Sequence, residues 1–221
     1  MVEENHLRKI TIIALLAFGP VFGMIAVMAY VFGDLRITRF IQRFDYPYFH
    51  WLMVAVSWPG YFGRQWVVAL CVAALLLRFR LKVEAASLLI SLGSIWLLTN
   101  AIKFIVGRAR PTRDMVEVYA NSISKSFPSG HVTSYMALYG FMFYLAYTLM
   151  RPSPLRSALL IVCGAMMGLV GLSRVYLGAH WASDVLMGYC LGFSWLALTI
   201  YFYRRRKDAS SPACHESLGG A

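Results

Sequence analysis

Three short polar segments interrupt an otherwise apolar sequence, and their residue types suit anion binding and nucleophilic chemistry. The residues concerned are Lys103 and Arg110 in the first segment, Ser129, Gly130 and His131 in the second, and Arg174, His180 and Asp184 in the third. The lysine and the two arginines are three cations, and the guanidinium groups have a fork geometry that matches phosphate oxygens. The two histidines are candidates for acid–base or nucleophilic catalysis.

The spacing within the second and third segments makes this chemistry more specific. Ser129 and Gly130 stand where a helix is predicted to begin, and free backbone N–H groups and the helix dipole favour an anion there. His180 and Asp184 are four residues apart, which on a helix places both on one face. The carboxylate would then accept a hydrogen bond from one ring nitrogen and leave the lone pair of the other nitrogen free to attack.

The elements that must position these residues are membrane-spanning helices. The chain has 221 residues, of which 59% are hydrophobic and 14% are charged, whereas soluble domains average about 45–50% apolar and about 25% charged residues. This composition excludes a soluble globular domain, a disordered protein and a secreted disulfide scaffold. The net charge is +11, and the basic residues lie between apolar runs. This placement favours roles in membrane orientation and in binding an anionic substrate. We therefore do not expect nucleic acid as a partner.

Apolar runs predict an all-α membrane protein with six transmembrane helices, since a span takes about 20 residues. The predicted spans are Ile10–Gly33, Tyr61–Leu77, Val83–Ile105, Val132–Met150, Leu155–Leu172 and Trp181–Tyr203. Between the first two, arginines alternate with aromatic residues, which is typical of the membrane–water interface. Trp58-Pro59-Gly60 predicts a turn or helix break there. We expect residues 1–207 to form a single domain and residues 208–221 a polar, disordered tail.

Six spans place both termini on one side of the membrane, and the positive-inside rule selects that side. Eleven of the 21 Lys and Arg residues fall on the side of the termini, including the Arg204–Lys207 run. We therefore predict cytoplasmic termini. Counting the spans places all three polar segments on the opposite face of the membrane, at the ends of the helices.

Each polar feature also has an ordinary interpretation. A histidine near a helix end is usually solvated, a basic residue beside a span usually anchors topology, and Pro-Ser-Gly alone is usually a turn. Their joint occurrence on one membrane face is the stronger signal, because ionisable groups at such depth are costly. Arg108 and Arg113 flank the first segment, and we expect both to be solvated.

These residues complete a tripartite pattern that resembles the type 2 phosphatidic acid phosphatase superfamily of integral-membrane lipid phosphatases. Lys103 to Arg110-Pro111, Pro128 to His131, and Ser173-Arg174 with His180 and Asp184 match its three motifs without departure. Three spaced motifs in order are far more specific than one short motif.

The resemblance implies a role for each residue. His180 would attack phosphorus and form a phosphohistidine, Asp184 would orient it, and His131 would protonate the leaving oxygen and then activate water. The phosphate oxygens would be held by Lys103, Arg110, Ser129, Gly130 and Arg174. No metal and no other cofactor is expected, and the sequence offers no carboxylate cluster suited to magnesium.

The resemblance implies a lipid phosphate or pyrophosphate as substrate, in a bacterial inner membrane with the active site on the periplasmic or outer face. Undecaprenyl pyrophosphate, phosphatidylglycerol phosphate and phosphatidic acid are the candidates, since the motif residues contact phosphate only. A lipid phosphotransferase that uses the same phosphohistidine is the alternative. The related vanadate-dependent haloperoxidases are soluble, which the six spans argue against, and a transporter or scaffold would leave the His180–Asp184 spacing unexplained.

Overall fold

The computed structural model describes residues 33–61, 63–120 and 123–209, and this part of the chain is helical and contains no strands. Seven α-helices are numbered here in chain order. They are α1 Asp34–Gln42, α2 Pro47–Ser57, α3 Arg64–Arg78, α4 Lys82–Val106, α5 Gly130–Leu149, α6 Pro154–Tyr176 and α7 Ala182–Ala209, with a 3-10 turn at Trp58–Gly60 between α2 and α3.

Local sequence signals mark several of these helix ends. Pro47 and Pro154 occupy the first turns of α2 and α6, where the missing N–H costs nothing. The hydroxyl of Ser153 caps α6 by accepting the backbone N–H of Arg156 at 3.2 Å. Helix α4 ends at Gly107, whose φ of 64° is left-handed and whose N–H donates to the Lys103 carbonyl at 3.0 Å. Because the helix stops here, the chain turns back over the end of α4 about one helical turn after Lys103.

Helix α5 is the centre of the bundle and packs against α4, α6 and α7. Twelve of its 20 residues are buried, so it is surrounded by protein on most of its faces. Gly192 of α7 lies against Met136 and Thr133 of α5, and Gly188 lies against Val132. These two glycines let α7 approach the first turns of α5 closely, as small residues do between membrane helices.

Three of the six predicted spans correspond to described helices that could cross a membrane, and a bent pair of helices is a fourth candidate. Helices α4, α6 and α7 are each long and apolar enough to cross a membrane, and α2 with α3 forms a fourth candidate bent by 66°. The second span, predicted over roughly Tyr61–Leu77, corresponds to α3, which begins at Arg64 and has 15 residues. At 1.5 Å per residue α3 is about 22 Å long, shorter than the ~30 Å hydrocarbon core.

The segment predicted to lie at the interface forms α1 and α2. Tyr48 and Trp51 on α2 are 90% and 71% exposed, and the break predicted at Trp58-Pro59-Gly60 is the 3-10 turn. The predicted first span lies almost wholly outside the described residues. Helix α7 continues to Ala209, and residues 210–221 of the predicted tail lie outside the described part of the chain.

The long connection between α4 and α5 is fixed to its surroundings by hydrogen bonds to backbone carbonyls. The N–H groups of Tyr119 and Ala120 donate to the Leu177 carbonyl at 3.1 and 3.3 Å. The Gln42 amide of α1 donates to the carbonyls of Glu117 and Tyr176 at 2.7 and 2.9 Å. The connection is therefore held over the ends of α1, α6 and α7, where the polar segments lie.

The close packing of Gly192 leads to a stability prediction. A Cβ at this position would lie 2.6 Å from the Met136 Cβ and 3.4 Å from the Thr133 Cα, so Gly192→Ala should destabilise the fold by about 1–3 kcal/mol through overpacking. Gly168→Ala is the matched control, because nothing lies within 4 Å of its Cβ position and alanine favours a helix by about 1 kcal/mol. Denaturant unfolding in detergent measures both, and equal stability of the two variants would contradict the packing described for α5 and α7.

Candidate active site

A cavity of about 520 Å³ lies at the end of the bundle where α4, α5 and α6 meet the long connection. The residues of the three sequence motifs that line it are Lys103, Arg110, Gly130, His131, Arg174 and His180. No aspartate or glutamate is among the described residues of its wall. The structure thus brings the predicted cations and both histidines to one cavity, and it buries Ser129 and Asp184 beside them.

The three cations are held by carbonyl and hydroxyl oxygens. The Lys103 ammonium, on the last turn of α4, donates to the carbonyls of Lys125 and Ser126. The Arg174 guanidinium, at the end of α6, donates to the Ser57 hydroxyl at 2.6 Å. The Arg110 side chain donates to the Ser124 carbonyl at 2.7 Å and to the carbonyl of Ala179, the residue before His180. These contacts fix each cation without neutralising it.

Buried charge without a counter-ion is costly, and the cavity concentrates it. Lys103 and Arg174 are only 8% and 2% exposed, and within the described chain no carboxylate oxygen lies within 4.0 Å of either cation or of Arg110. Burial, with Arg174 nearby, lowers the pKa of Arg110 to about 10, so Arg110 remains charged at neutral pH. The arrangement provides a strong attraction for an anion of the size of a phosphate group.

Unpaired polar atoms mark the same place. Among the described residues, four buried side-chain nitrogen or oxygen atoms have no hydrogen-bond partner in the protein, and three of them belong to the motifs. These three are the Ser129 hydroxyl, Nε2 of His131 and Nε of Arg174. Such atoms are rare in native proteins because each costs about 1–3 kcal/mol. A ligand that offers both acceptor and donor oxygens would satisfy them.

His180 lies in the turn between α6 and α7 and is almost fully buried. Its Nε2 is 3.1 Å from the Arg110 guanidinium, and its Nδ1 is 3.6 Å from Oδ2 of Asp184. Burial, with the charges of Arg110, Arg174 and Lys103, holds the pKa of His180 well below its ordinary value. The imidazole is therefore neutral at pH 7. With its proton on Nδ1 toward Asp184, the lone pair on Nε2 faces the cavity.

The contact between Asp184 and His180 arises differently from the sequence prediction. His180 precedes α7, which begins at Ala182, so the two residues are not on one helical face. Asp184 instead lies in the first turn of α7, where its Oδ2 accepts the Trp181 backbone N–H at 3.0 Å and the Ser126 hydroxyl. The turn that precedes α7 therefore brings His180 next to the Asp184 carboxylate.

The second motif forms the start of α5, as predicted. Ser129 is the N-cap residue and Gly130 and His131 form the first turn, where backbone N–H groups lack partners within the helix. The Ser129 N–H donates to the Asp184 carbonyl at 3.0 Å. This bond joins the starts of α5 and α7, so the two motifs keep a fixed distance from each other.

Sequence reasoning missed the wall behind His131 and Arg174, which the segment Ser57–Tyr61 forms. The Tyr61 ring packs edge-on against His131 with centroids 5.2 Å apart, and Arg174 lies 5.6 Å from the same ring. A Cβ on Gly60 would overlap the His131 ring, so only glycine fits there. The predicted break at Trp58-Pro59-Gly60 marked the position in the chain, but no motif related it to His131.

The prediction that Arg108 is solvated is wrong. Its side chain is 16% exposed, and its guanidinium donates to Asp184 and to Asp34, both at 2.6 Å. This pairing could not be predicted from the sequence, because Asp34 is 74 residues away from Arg108. Arg113, in the same connection, is exposed as expected. Within the described part of the chain, no group of three or more His, Cys, Asp or Glu side chains is placed to hold a metal ion.

Comparison with known proteins relates this geometry to a family. Residues 84–208 match the family model of the PAP2 superfamily. The chain is 31% identical over 164 residues to phosphatidylglycerophosphatase B of Bacillus subtilis, which covers 72% of this chain and 78% of that protein. It is 32% identical over 139 residues to an undecaprenyl-diphosphatase of Sulfolobus acidocaldarius, which covers 62% of this chain and 63% of that protein.

The fold has a counterpart among solved structures. The crystal structure of the transmembrane PAP2 type phosphatidylglycerolphosphate phosphatase from Bacillus subtilis superposes with a TM-score of 0.76 at 24% identity. The superposition covers 87% of this chain and 97% of that chain. The helical arrangement described above is therefore that of a known membrane fold.

The unneutralised cations lead to a binding prediction. Purified protein in detergent should bind orthovanadate, a phosphate-like oxyanion, and Arg174→Gln should weaken binding by about 10-fold or more, the loss expected for one charge-assisted hydrogen bond. Arg113→Gln is the matched control, because Arg113 is exposed and outside the cavity wall. Titration calorimetry measures the affinities. Equal weakening by both substitutions would mean that general surface charge, and not the cavity, binds the anion.

Proposed function

The chain belongs to the PAP2 superfamily, and from this membership and the site geometry we propose that it is a membrane lipid phosphatase. It removes a terminal phosphate from a lipid phosphate or lipid pyrophosphate. The observation that carries the proposal is the cavity lined by Lys103, Arg110 and Arg174, none with a carboxylate partner in the described part of the chain, and by the neutral His180, whose Nε2 lies 3.1 Å from Arg110. A bound phosphate group compensates the positive charge of the cavity. It also places its phosphorus atom at Nε2, where it reacts.

In the first step, His180 is the nucleophile. Its Nε2 lone pair forms a bond to phosphorus while the bond from phosphorus to the lipid oxygen breaks, which leaves a phosphohistidine and the dephosphorylated lipid. The imidazole becomes positively charged as the bond forms, and Asp184 at 3.6 Å from Nδ1 stabilises that charge. Arg110, which contacts Nε2 in the free protein, then donates to an oxygen of the transferring group.

His131 acts on the other side of the phosphorus. It donates a proton to the leaving lipid oxygen, and in the second step it takes a proton from water as the water oxygen attacks the phosphohistidine. The phosphorus–nitrogen bond then breaks and inorganic phosphate leaves. Its Nε2, buried and without a hydrogen-bond partner among the described residues, is the group that makes these transfers, and Tyr61 and Gly60 hold the ring in place.

The phosphate oxygens are bound by Lys103, Arg110 and Arg174 and by the start of α5 at Ser129 and Gly130. Because these donors are fixed before substrate binds, they stabilise charge on the transferring group without reorganisation. The chemistry of this donor set supports a reaction that uses no metal and no other cofactor.

The relatives guide the choice of substrate. Their names point to phosphatidylglycerol phosphate and undecaprenyl pyrophosphate, and phosphatidic acid is the third candidate. The cavity of about 520 Å³ lies within the ~300–1,000 Å³ typical of small-molecule sites, so it accommodates a head group as well as a phosphate. The acyl or prenyl chains remain in the bilayer.

The protein is a membrane protein, and we propose the following topology. Six spans cross a bacterial inner membrane, with the termini in the cytoplasm and the active site on the periplasmic or outer face. The aromatic and basic residues of α1 and α2 lie at the interface on the side of the active site. This arrangement places the Arg204–Lys207 run on the cytoplasmic side, in agreement with the positive-inside rule.

Phosphate release from a panel of lipids tests the function. Purified protein should release inorganic phosphate from at least one of phosphatidylglycerol phosphate, undecaprenyl pyrophosphate and phosphatidic acid, and His180→Asn should lower the rate by about 10⁴-fold or more. His50→Asn is the control, since His50 lies on α2 outside the cavity wall. A fully active His180→Asn variant would contradict the mechanism. Release that requires an added acceptor lipid would instead identify a phosphotransferase.

The low pKa of His180 predicts a shift in the pH dependence. Activity requires neutral His180, so the rate falls as pH decreases through its pKa, which burial and neighbouring cations hold well below its ordinary value. Removing the charge of Arg110 makes His180 easier to protonate. In Arg110→Gln the acidic limb of the kcat/KM profile should therefore move to higher pH, while Arg113→Gln leaves it in place. An acidic limb that moves to lower pH in Arg110→Gln would contradict this assignment.

A further inference from the structure

A buried ion network joins α1 to the predicted catalytic aspartate. Arg108 follows the last turn of α4. Its Nη1 donates a hydrogen bond to Oδ1 of Asp184 and its Nη2 donates one to Oδ2 of Asp34, both at 2.6 Å. Asp34 in turn accepts the backbone N–H and the hydroxyl of Ser183 at 2.8 and 2.6 Å. Asp34 is 7% exposed and Asp184 is fully buried.

Two members of the network, Arg108 and Asp34, lie outside the signature positions that identify the family. Arg108 is not one of the signature positions, and Asp34 precedes residues 84–208, to which the family model matches. The two carboxylates share one guanidinium, whose planar fork is suited to bridge two acceptors in a fixed geometry. A lysine has the same charge but a single donor centre, so it cannot hold both carboxylates in this way.

Arg108 also controls which oxygen of Asp184 faces His180. The guanidinium occupies the Oδ1 side of the carboxylate, and the same nitrogen also donates to the Ser183 hydroxyl. The Oδ2 side is left for the Trp181 N–H, the Ser126 hydroxyl and Nδ1 of His180. Because a carboxylate can rotate about its terminal bond, the Arg108 nitrogen on Oδ1 acts with the two donors on Oδ2 to keep Oδ2 directed at the imidazole.

We propose that Arg108, anchored by Asp34 of α1, is a positioning residue of the phosphatase that holds Asp184 toward His180 and so keeps the His180 proton on Nδ1. The proposal rests on the function proposed above for its consequence in catalysis. It does not involve contact between Arg108 and substrate, since Arg108 is not part of the described cavity wall. Its loss should therefore act on the rate of turnover and not on the affinity for the lipid.

The kinetic test compares Arg108→Gln, Arg108→Lys and the control Arg113→Gln, an exposed arginine of the same connection. Arg108→Gln should lower kcat by about 10- to 1,000-fold with KM changed by less than about twofold, short of the ~10⁴-fold loss expected when an orienting carboxylate is removed. Arg108→Lys should restore part of kcat, and Arg113→Gln should be unchanged. Rates are divided by the amount of folded protein that binds orthovanadate. An unchanged kcat for Arg108→Gln, or a loss confined to KM, would overturn the proposal.

A second measurement needs neither substrate nor activity. The chain has five histidines, and in protein labelled with ¹⁵N-histidine the signal of His180 is assigned by its disappearance in His180→Asn. The wild-type signal should show a protonated Nδ1 and an unprotonated Nε2, and Arg108→Gln should show a mixture of tautomers. An unchanged tautomer in Arg108→Gln would overturn the proposal.

If wild type releases no phosphate from any lipid, the proposed function fails while this spectrum still decides the role of Arg108. If Arg108→Gln does not fold, the same spectrum of Arg108→Lys decides it.

Discussion

Lys103, Arg110 and Arg174 converge on one cavity, and no carboxylate lies within ion-pair distance of any of them in the described part of the chain. Protein interiors disfavour such unpaired cations, so the fold must supply the stability that this site costs. The carboxylate closest to the site, Asp184, is directed instead at His180 and Arg108. The negative charge that would complete the cavity is thus left to the ligand, and a phosphate group provides it.

The rest of the architecture keeps this charge distribution in place. Helix α5 is buried along most of its length, and Gly188 and Gly192 bring α7 against its first turns. The Ser129 N–H then joins the start of α5 to Asp184. The long connection after α4 adds Arg110 from one side and Arg108 from the other. Because the site residues come from several helices and the connections between them, the chemistry depends on helix packing as much as on the motifs.

Much of this arrangement could be predicted from the sequence, and the failures have physical causes. Apolar run lengths located α4 to α7 within a few residues, and motif order identified the residues that line the cavity. The helical spacing of His180 and Asp184 was misread, because a turn precedes α7 and spacing alone does not distinguish a turn from a helix. The role of Arg108 could not be predicted, since it depends on Asp34, and pairing across 74 residues follows only from the packed fold. The roles of the individual site residues remain predictions that the geometry supports.

Identification of the residue that carries phosphate during turnover tests the central claim most directly. His131→Ala should form phosphoenzyme from a substrate with a good leaving group and release it slowly, because the water-activating group is missing. Rapid quenching in base followed by mass spectrometry of the peptides locates the phosphate, since a phosphorus–nitrogen bond survives base and is lost in acid. The account predicts phosphate on His180, and its absence when His180 is also replaced by asparagine. Phosphate on any other residue of the site would contradict it, as would full turnover by the protein with His180 replaced.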